Sequence, residues 1–174
     1  MRGEKFLWWI FFILFVAFLI LGTLVFSAVI IENPVAAAFF LGLTGFWLFA
    51  NRLIFGFAGI TDTANTLLKG GEVDREKIAS YSREPHERVK DLSLISLLIL
   101  WRNYLEPYRY AYYIAFFLTF IISMLFQLNI IQSYAGTIAK GIMFGASVPT
   151  LIVWALDLFS KAYLAEAMGK TLTD

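Results

Sequence analysis

Two ionisable residues lie within apolar segments that are long enough to cross a membrane, where a charge needs a partner or water. Arg52 follows Pro34 by eighteen residues, and Asp157 follows Thr137 by twenty. At a helical rise of about 1.5 Å per residue, each lies about 27–30 Å beyond its preceding turn, so both have a similar depth. One interpretation is an ion pair in which Arg52 and Asp157 compensate each other's charge. The alternative is that both are hydrated at the membrane surface, with Arg52 reaching toward lipid headgroups.

Three hydroxyl-bearing residues are predicted to lie near the middle of the membrane. Thr44 and Ser147 each fall about 15 Å from the nearest predicted turn. Thr150 follows Pro149, a residue type that can kink a helix. This pattern is compatible with a polar gate beside a kink. Such residues more often form a hydrogen bond across a contact between two helices, and we expect this second arrangement.

Small residues at helical spacing predict close helix packing. Gly141 and Gly145 form a Gly-x-x-x-Gly pattern, and Gly42 and Gly45 share a second small-residue surface with Ala38. Glycine lets two helix backbones approach closely, although the pattern is common by chance in apolar segments. The sequence therefore predicts helix association through these four glycines and leaves open whether the partner helix belongs to this chain.

Residues suited to enzymatic or metal chemistry are sparse. The chain has no cysteine and one histidine, His86, which lies between Pro85 and Glu87 in a charged stretch typical of a solvated surface. Gly169-Lys170-Thr171 imitates the end of a phosphate-binding loop, but Leu164 stands where that motif requires glycine. We therefore predict no catalytic residues, no metal site and no cofactor.

The composition predicts the elements that carry these residues. The chain has 174 residues, of which 60% are hydrophobic, 18% aromatic and only 16% charged, with a mean hydropathy of +0.73. Soluble domains are only about 45–50% apolar, so lipid must cover much of this protein's surface. A helix needs about 20 apolar residues to cross a membrane. Four segments reach this length, approximately Phe6–Ile31, Val35–Ile60, Arg109–Ile131 and Thr137–Phe159.

The distribution of lysine and arginine predicts the orientation of these spans. These residues precede the first span, fill the segment between the second and third spans and follow the fourth span. Only Lys140 lies near the turns on the opposite side. Because positive charges in short loops resist translocation, we expect both termini and the central segment to be cytoplasmic in an integral protein of the cell membrane.

The predicted fold is all-α: an integral membrane four-helix bundle of two transmembrane hairpins joined by a cytoplasmic helical connector. Residues 1–60 form the first hairpin, residues 61–108 the connector, and residues 109–174 the second hairpin with a short cytoplasmic tail. This division follows from the lengths of the apolar segments and of the charged segment between them.

Within the connector, residue types that begin and end helices divide the chain. Gly70 and Gly71 suit the end of a helix that continues from the second span, and Asp74 suits the start of a short helix. Pro85 suits the start of a further helix that ends before Pro107. That helix is amphipathic and too short to span, so we expect it on the inner membrane face or under the bundle.

Function is predicted mainly from what the bundle contains and lacks. A net charge of +1 gives no electrostatic signal for nucleic acid. Hydrophobic spans, packing glycines and a mixed-charge connector favour a non-catalytic structural, assembly or accessory subunit of a larger membrane complex. The alternative is a small homo-oligomeric channel or transporter whose pore is lined by the second and fourth spans. The expected partners are the lipid bilayer and other membrane subunits or further copies of the chain.

Overall fold

The fold is all-helical over residues 34–128 and 133–173, which are the residues that the computed structural model describes. Between these limits the chain contains no strand. The helices, in chain order, are α1 Pro34–Leu68, α2 Arg75–Ser82, α3 His86–Val89, α4 Leu94–Gln127 and α5 Ser133–Thr173. The predicted first span, Phe6–Ile31, lies outside the described residues.

Three of these helices are long and apolar enough to cross a membrane. The qualifying segments are Pro34–Leu68, Leu94–Gln127 and Ala135–Lys170, with 35, 34 and 36 residues. Helices of this length extend over about 50 Å, whereas the hydrocarbon core is about 30 Å thick. Each helix is therefore longer than the hydrocarbon core is thick.

The short elements begin and end as the residue types predict. Gly70 has a positive φ of 70° and ends α1, with its N–H bonded to the carbonyl of Leu67 at 3.1 Å and that of Gly71 bonded to Thr66 at 2.9 Å. This pair of bonds is the Schellman arrangement, which satisfies free carbonyls at a helix end. A carboxylate oxygen of Asp74 accepts the N–H groups of Glu76 and Lys77 at the start of α2.

The prediction of a separate helix from Pro85 to just before Pro107 was wrong. Helix α3 ends at Val89, and α4 begins at Leu94 and continues through Pro107 to Gln127. Proline removes one backbone hydrogen bond and leaves the carbonyl of Asn103 without its helical donor. Both Pro107 and Asn103 are exposed, so that carbonyl can bond to water or lipid headgroups and the helix continues.

The amphipathic first turns of α4 are packed against another helix. Leu97, Leu98, Trp101 and Leu105 are buried. The side chain of Leu105 lies where a Cβ on Gly56 would stand, and the ring of Trp101 lies in the same way against Gly59. These two glycines of α1 therefore form the shallow surface on which this end of α4 rests.

The described chain divides into two compact units, each containing parts of all three long helices. Of the described residues, the first unit contains 34–47, 118–128 and 133–148, and the second contains 48–117 and 149–173. Each unit combines segments that are far apart in the sequence, and the three-part division predicted from the sequence stays a prediction.

Helix α1 packs closely on α5 in the first unit. A Cβ on Gly42 would overlap the backbone of Ile142, and one on Gly145 would overlap the carbonyl of Phe39. A Cβ on Gly141 would lie 2.7 Å from the carbonyl oxygen of Val35. By contrast, no described atom lies within 4 Å of the Cβ position at Gly45. Three of the four glycines singled out in the sequence thus form a contact within this chain, and Gly45 does not.

Candidate functional site

A buried carboxylate in the second unit is surrounded by three cationic side chains. Asp157 on α5 is only 5% exposed. Its Oδ1 atom accepts a hydrogen bond from Arg102 at 2.9 Å, and Arg109 donates to both carboxylate oxygens at 3.1 and 3.2 Å. Lys161, one turn further along α5, lies 3.5 Å from Oδ2. The burial of this charge is compensated by partners supplied by both α4 and α5.

A second carboxylate extends the cluster along α4. Arg109 also donates to Glu106 at 3.0 Å, one turn earlier on the same helix. The Glu106 side chain is 43% exposed, in contrast to 7% for that of Asp157. We call Arg102, Glu106, Arg109, Asp157 and Lys161 the Asp157 cluster. It contains three positive and two negative side chains, so its formal charge is +1.

Two polar atoms, one in this cluster and one on a tyrosine of α4, are buried without a hydrogen-bond partner among the described residues. They are Nε of Arg102 and the hydroxyl of Tyr113. A buried donor without a partner costs about 1–3 kcal/mol, so these two atoms reduce the stability that the cluster provides.

The Asp157 cluster occupies a level of α5 at which the outward face of the helix is apolar. Trp154, Leu158 and Phe159 are exposed, at 54%, 44% and 55%, while Asp157 points into the protein. An ionised group near apolar surroundings is stable only when it is paired and hydrogen-bonded. The cluster is therefore a structural clamp between α4 and α5 that holds charge close to the membrane.

Arg52 is exposed and does not have the partner that the ion-pair interpretation gave it. Its guanidinium donates to the hydroxyl of Tyr104, and its Cζ atom lies 5.2 Å from the ring centre of Tyr104 and 4.5 Å from that of Tyr108. Asp157 takes its cations from α4 and α5, so the predicted Arg52 to Asp157 pair is not formed. Equal depth along two helices does not determine which faces of those helices meet, and Arg102 and Arg109 occupy the face toward Asp157.

Two of the three hydroxyl-bearing residues, Ser147 and Thr150, form separate hydrogen bonds. In the first unit, Ser147 donates to the carbonyl of Phe144 in its own helix at 2.7 Å rather than to Thr44. In the second unit, Thr150 bonds to the hydroxyl of the fully buried Tyr112 at 2.9 Å. In a helix, a serine hydroxyl can always reach a backbone carbonyl of the preceding turn, and Ser147 donates its hydrogen bond there. The bond between Thr150 and Tyr112 links α5 to α4, as expected for a hydroxyl at a helix contact.

The sequence contained a signal for the cations that were missed. Arg102 and Arg109 are seven residues apart, which places both on one face of a helix two turns apart. Asp157 and Lys161 are four residues apart and likewise share a face. The predicted helix end before Pro107 hid the first relationship, because it separated Arg102 and Arg109 into different elements.

The second unit also contains an open pocket between α1, α2 and α4. Its volume is about 680 Å³, and its walls include Arg52, Gly56, Gly59, Trp101 and Leu105. Tyr81 of α2 stacks flat on Trp101, with ring centres 4.6 Å apart. As for metals, residues 34–128 and 133–173 contain no group of three or more His, Cys, Asp or Glu side chains arranged to hold an ion.

Comparison with known proteins gives one full-length similarity. The chain is 37% identical over 169 residues to a protein of Aquifex aeolicus (strain VF5), and the match covers 95% of this chain and 94% of that protein. The chain belongs to the same family as this protein. The Aquifex aeolicus relative is described as an uncharacterized protein, so the relationship brings no activity with it. No protein-family model and no solved structure matches the chain.

Proposed function

We propose that this protein is a four-span integral protein of the cell membrane, with both termini and the connector in the cytoplasm. Three apolar helices support the membrane location. The apolar segment Phe6–Ile31 would supply the fourth span, and the concentration of lysine and arginine on one side supports the orientation. An even number of spans places both termini on the same side.

Within that membrane, the protein is a non-catalytic accessory or assembly subunit of a larger complex. One observation carries this proposal: the apolar part of α4 has the least covered surface of the three candidate spans. Only 11% of its most apolar window is buried, compared with 22% for α1 and 28% for α5. Its exposed side chains include Ile114, Phe117, Leu118, Ile121 and Leu125. A surface of large apolar and aromatic side chains is suited to contact another membrane subunit.

The polar groups of the described helices support a structural role over a pore. The buried carboxylate of Asp157 is held by Arg102, Arg109 and Lys161, and Thr150 is bonded to Tyr112. These groups stabilise contacts between helices of the same chain. A conduction path would instead need polar groups that are free to replace the hydration shell of a solute.

Site-directed photo-crosslinking tests the proposal. A photoreactive amino acid replaces Phe117 on α4 in the full-length chain and is irradiated in the native membrane. The matched control carries the same group at Leu151 on α5, because both residues are equally exposed, at 61% and 62%. We expect Phe117 to give one discrete adduct with a different membrane protein, and Leu151 to give lipid adducts only.

Other products would point elsewhere. An adduct at Phe117 with twice the mass of the chain would indicate self-association and favour a homo-oligomeric channel or transporter, to be followed by flux measurements. An adduct within the chain would assign the α4 surface to the first span. The absence of any protein adduct at Phe117 would contradict the proposed subunit contact.

A further inference from the structure

The pocket between α1, α2 and α4 has a cationic end formed by two arginines on one aromatic ring. The Cζ atoms of Arg52 and Arg83 lie 5.2 and 5.0 Å from the ring centre of Tyr104. Both arginines and Tyr104 line the pocket. No carboxylate in the described part of the chain pairs with either guanidinium. Two like charges that converge on one ring repel each other, and a bound anion would remove this repulsion.

The backbone of Arg83 is held in a conformation that favours glycine. Arg83 ends α2 with φ 57° and ψ 24°, and among the described residues other than glycine it alone has a positive φ. Glycine is the residue usually found at such a helix end, because a side chain adds strain there. The arginine at this position places its guanidinium 5.0 Å from the centre of the Tyr104 ring, which Arg52 also contacts. The strained position is consistent with a role for the side chain in the pocket.

The pocket lies beside an apolar surface that lipid chains can reach. Phe55, which is 49% exposed, lines the pocket one turn after Arg52, and Leu48 and Phe49 are exposed one turn before Arg52. Arg52 follows Pro34 by eighteen residues, about 27 Å along α1, which is close to the thickness of the hydrocarbon core and hence to the depth of the lipid headgroups. An amphiphile could place its phosphate at Arg52 and its chains along α1.

Acidic side chains also line the pocket, together with Lys77. They are Asp62, Glu72 and Asp74, and Asp62 lies ten residues, about 15 Å, along α1 from Arg52. A long polyanion that reached these carboxylates would be repelled. A single phosphate group at the cationic end fits this distribution of charge.

We propose that this pocket binds the phosphate group of an anion, held between Arg52 and Arg83 on the Tyr104 ring. The position at the membrane surface favours an anionic phospholipid as the source, and free phosphate shares the same chemistry. Guanidinium groups bind phosphate oxygens through paired, charge-assisted hydrogen bonds. The site is independent of the α4 surface proposed above to contact a partner subunit.

The test measures lipid retention by the full-length protein. The protein is reconstituted in nanodiscs of phosphatidylcholine alone or mixed with phosphatidylglycerol, and bound lipid is counted by native mass spectrometry after release. We expect phosphatidylglycerol to be retained, and R52Q to weaken its retention about tenfold through loss of a charge-assisted contact. R52K should recover part of the retention. R88Q is the matched control, because Arg88 is an exposed arginine outside the pocket.

A second variant separates binding from folding. R83G places glycine at the left-handed position, so its thermal unfolding midpoint should be unchanged or higher while phosphatidylglycerol retention falls. In parallel, inorganic phosphate is added to the detergent-solubilised protein. A rise in the unfolding midpoint that R52Q abolishes would support the site with free phosphate as its source.

Two results would overturn the proposal. One is equal retention by the unmodified protein, R52Q and R83G, with no effect of inorganic phosphate on the unfolding midpoint. The other is an equal loss of retention in R88Q, which would indicate a diffuse effect of surface charge rather than a site at Tyr104.

Discussion

At the scale of single residues, the clearest feature is how the second unit compensates a buried carboxylate. Asp157 is paired with Arg102, Arg109 and Lys161, and Glu106 bonds to Arg109 from a more exposed position. Removing one member of a buried ion network leaves the others without compensation, which is costlier than the net contribution of the network itself. We therefore expect the loss in the free energy of unfolding to be larger when a more buried member of the cluster is replaced.

The first prediction concerns the two carboxylates of the Asp157 cluster. D157N should lower the free energy of unfolding by about 3–5 kcal/mol, because three cations lose their buried partner. E106Q should change it by less than about 1 kcal/mol, because Glu106 is 43% exposed and water replaces its interaction. Unfolding in mixed micelles with increasing denaturing detergent measures both values. Equal effects of the two substitutions would contradict the clamp.

The second prediction distinguishes the observed partners of Asp157 from the pair expected from depth. R109Q should cost about 3 kcal/mol because Arg109 bonds to both oxygens of the buried carboxylate. R52Q should cost less than about 1 kcal/mol because Arg52 makes exposed contacts with tyrosine rings. The same unfolding measurement applies. A larger loss in R52Q than in R109Q would favour the pairing of Arg52 with Asp157.

At the scale of elements, the contact of α1 with α5 in the first unit depends on the absence of side chains. At Gly42, Gly141 and Gly145 a Cβ would meet backbone atoms, which cannot move aside as a flexible side chain can. Close backbone approach increases van der Waals contact, which is a main driving force for helix association in lipid. Replacing a glycine of this contact by alanine should thus destabilise the protein, whereas the same change at a glycine that faces open space should stabilise it.

The third prediction uses Gly145 and Gly45 as a matched pair of helical glycines. G145A should destabilise the protein by about 1–3 kcal/mol, because the new methyl group overlaps the carbonyl of Phe39. G45A should stabilise it by up to about 1 kcal/mol, because alanine favours a helix and finds open space there. Thermal unfolding in detergent reports both signs. A stabilising G145A would refute the close contact.

At the scale of the whole molecule, the proposed topology places the connector and the predicted outer turns on opposite sides of the membrane. The chain has no cysteine, so a single introduced cysteine can be labelled without background. This property makes orientation accessible to a direct chemical test.

The fourth prediction is the labelling pattern of three single-cysteine variants with a membrane-impermeant maleimide. Q132C, in the predicted outer turn, should react in intact cells. R88C, in the connector, should react only after the membrane is permeabilised, because positive charge keeps that segment inside. F117C, on the apolar surface of α4, should react in neither condition. Labelling of R88C but not Q132C in intact cells would reverse the proposed orientation.

The sequence by itself determined the helical class, the apolar segments and several helix ends. Composition and segment length suffice for these features, because a backbone in lipid must satisfy its own hydrogen bonds and does so as a helix. The signals that end α1 at Gly70 and begin α2 at Asp74 are likewise local, since each depends on a few neighbouring residues. The spacing of small residues also predicted the helix contact at Gly42, Gly141 and Gly145, although it included Gly45, which faces open space.

Only the tertiary structure decided which faces meet. Depth placed Asp157 level with Arg52, yet the rotation of each helix about its axis turns Asp157 toward Arg102 and Arg109 instead. Local rules ended a helix before Pro107, but buried contacts of Trp101 and Leu105 with α1 keep α4 continuous through it. The pocket at Tyr104 joins residues from three helices far apart in sequence, and their meeting depends on packing that no local pattern encodes.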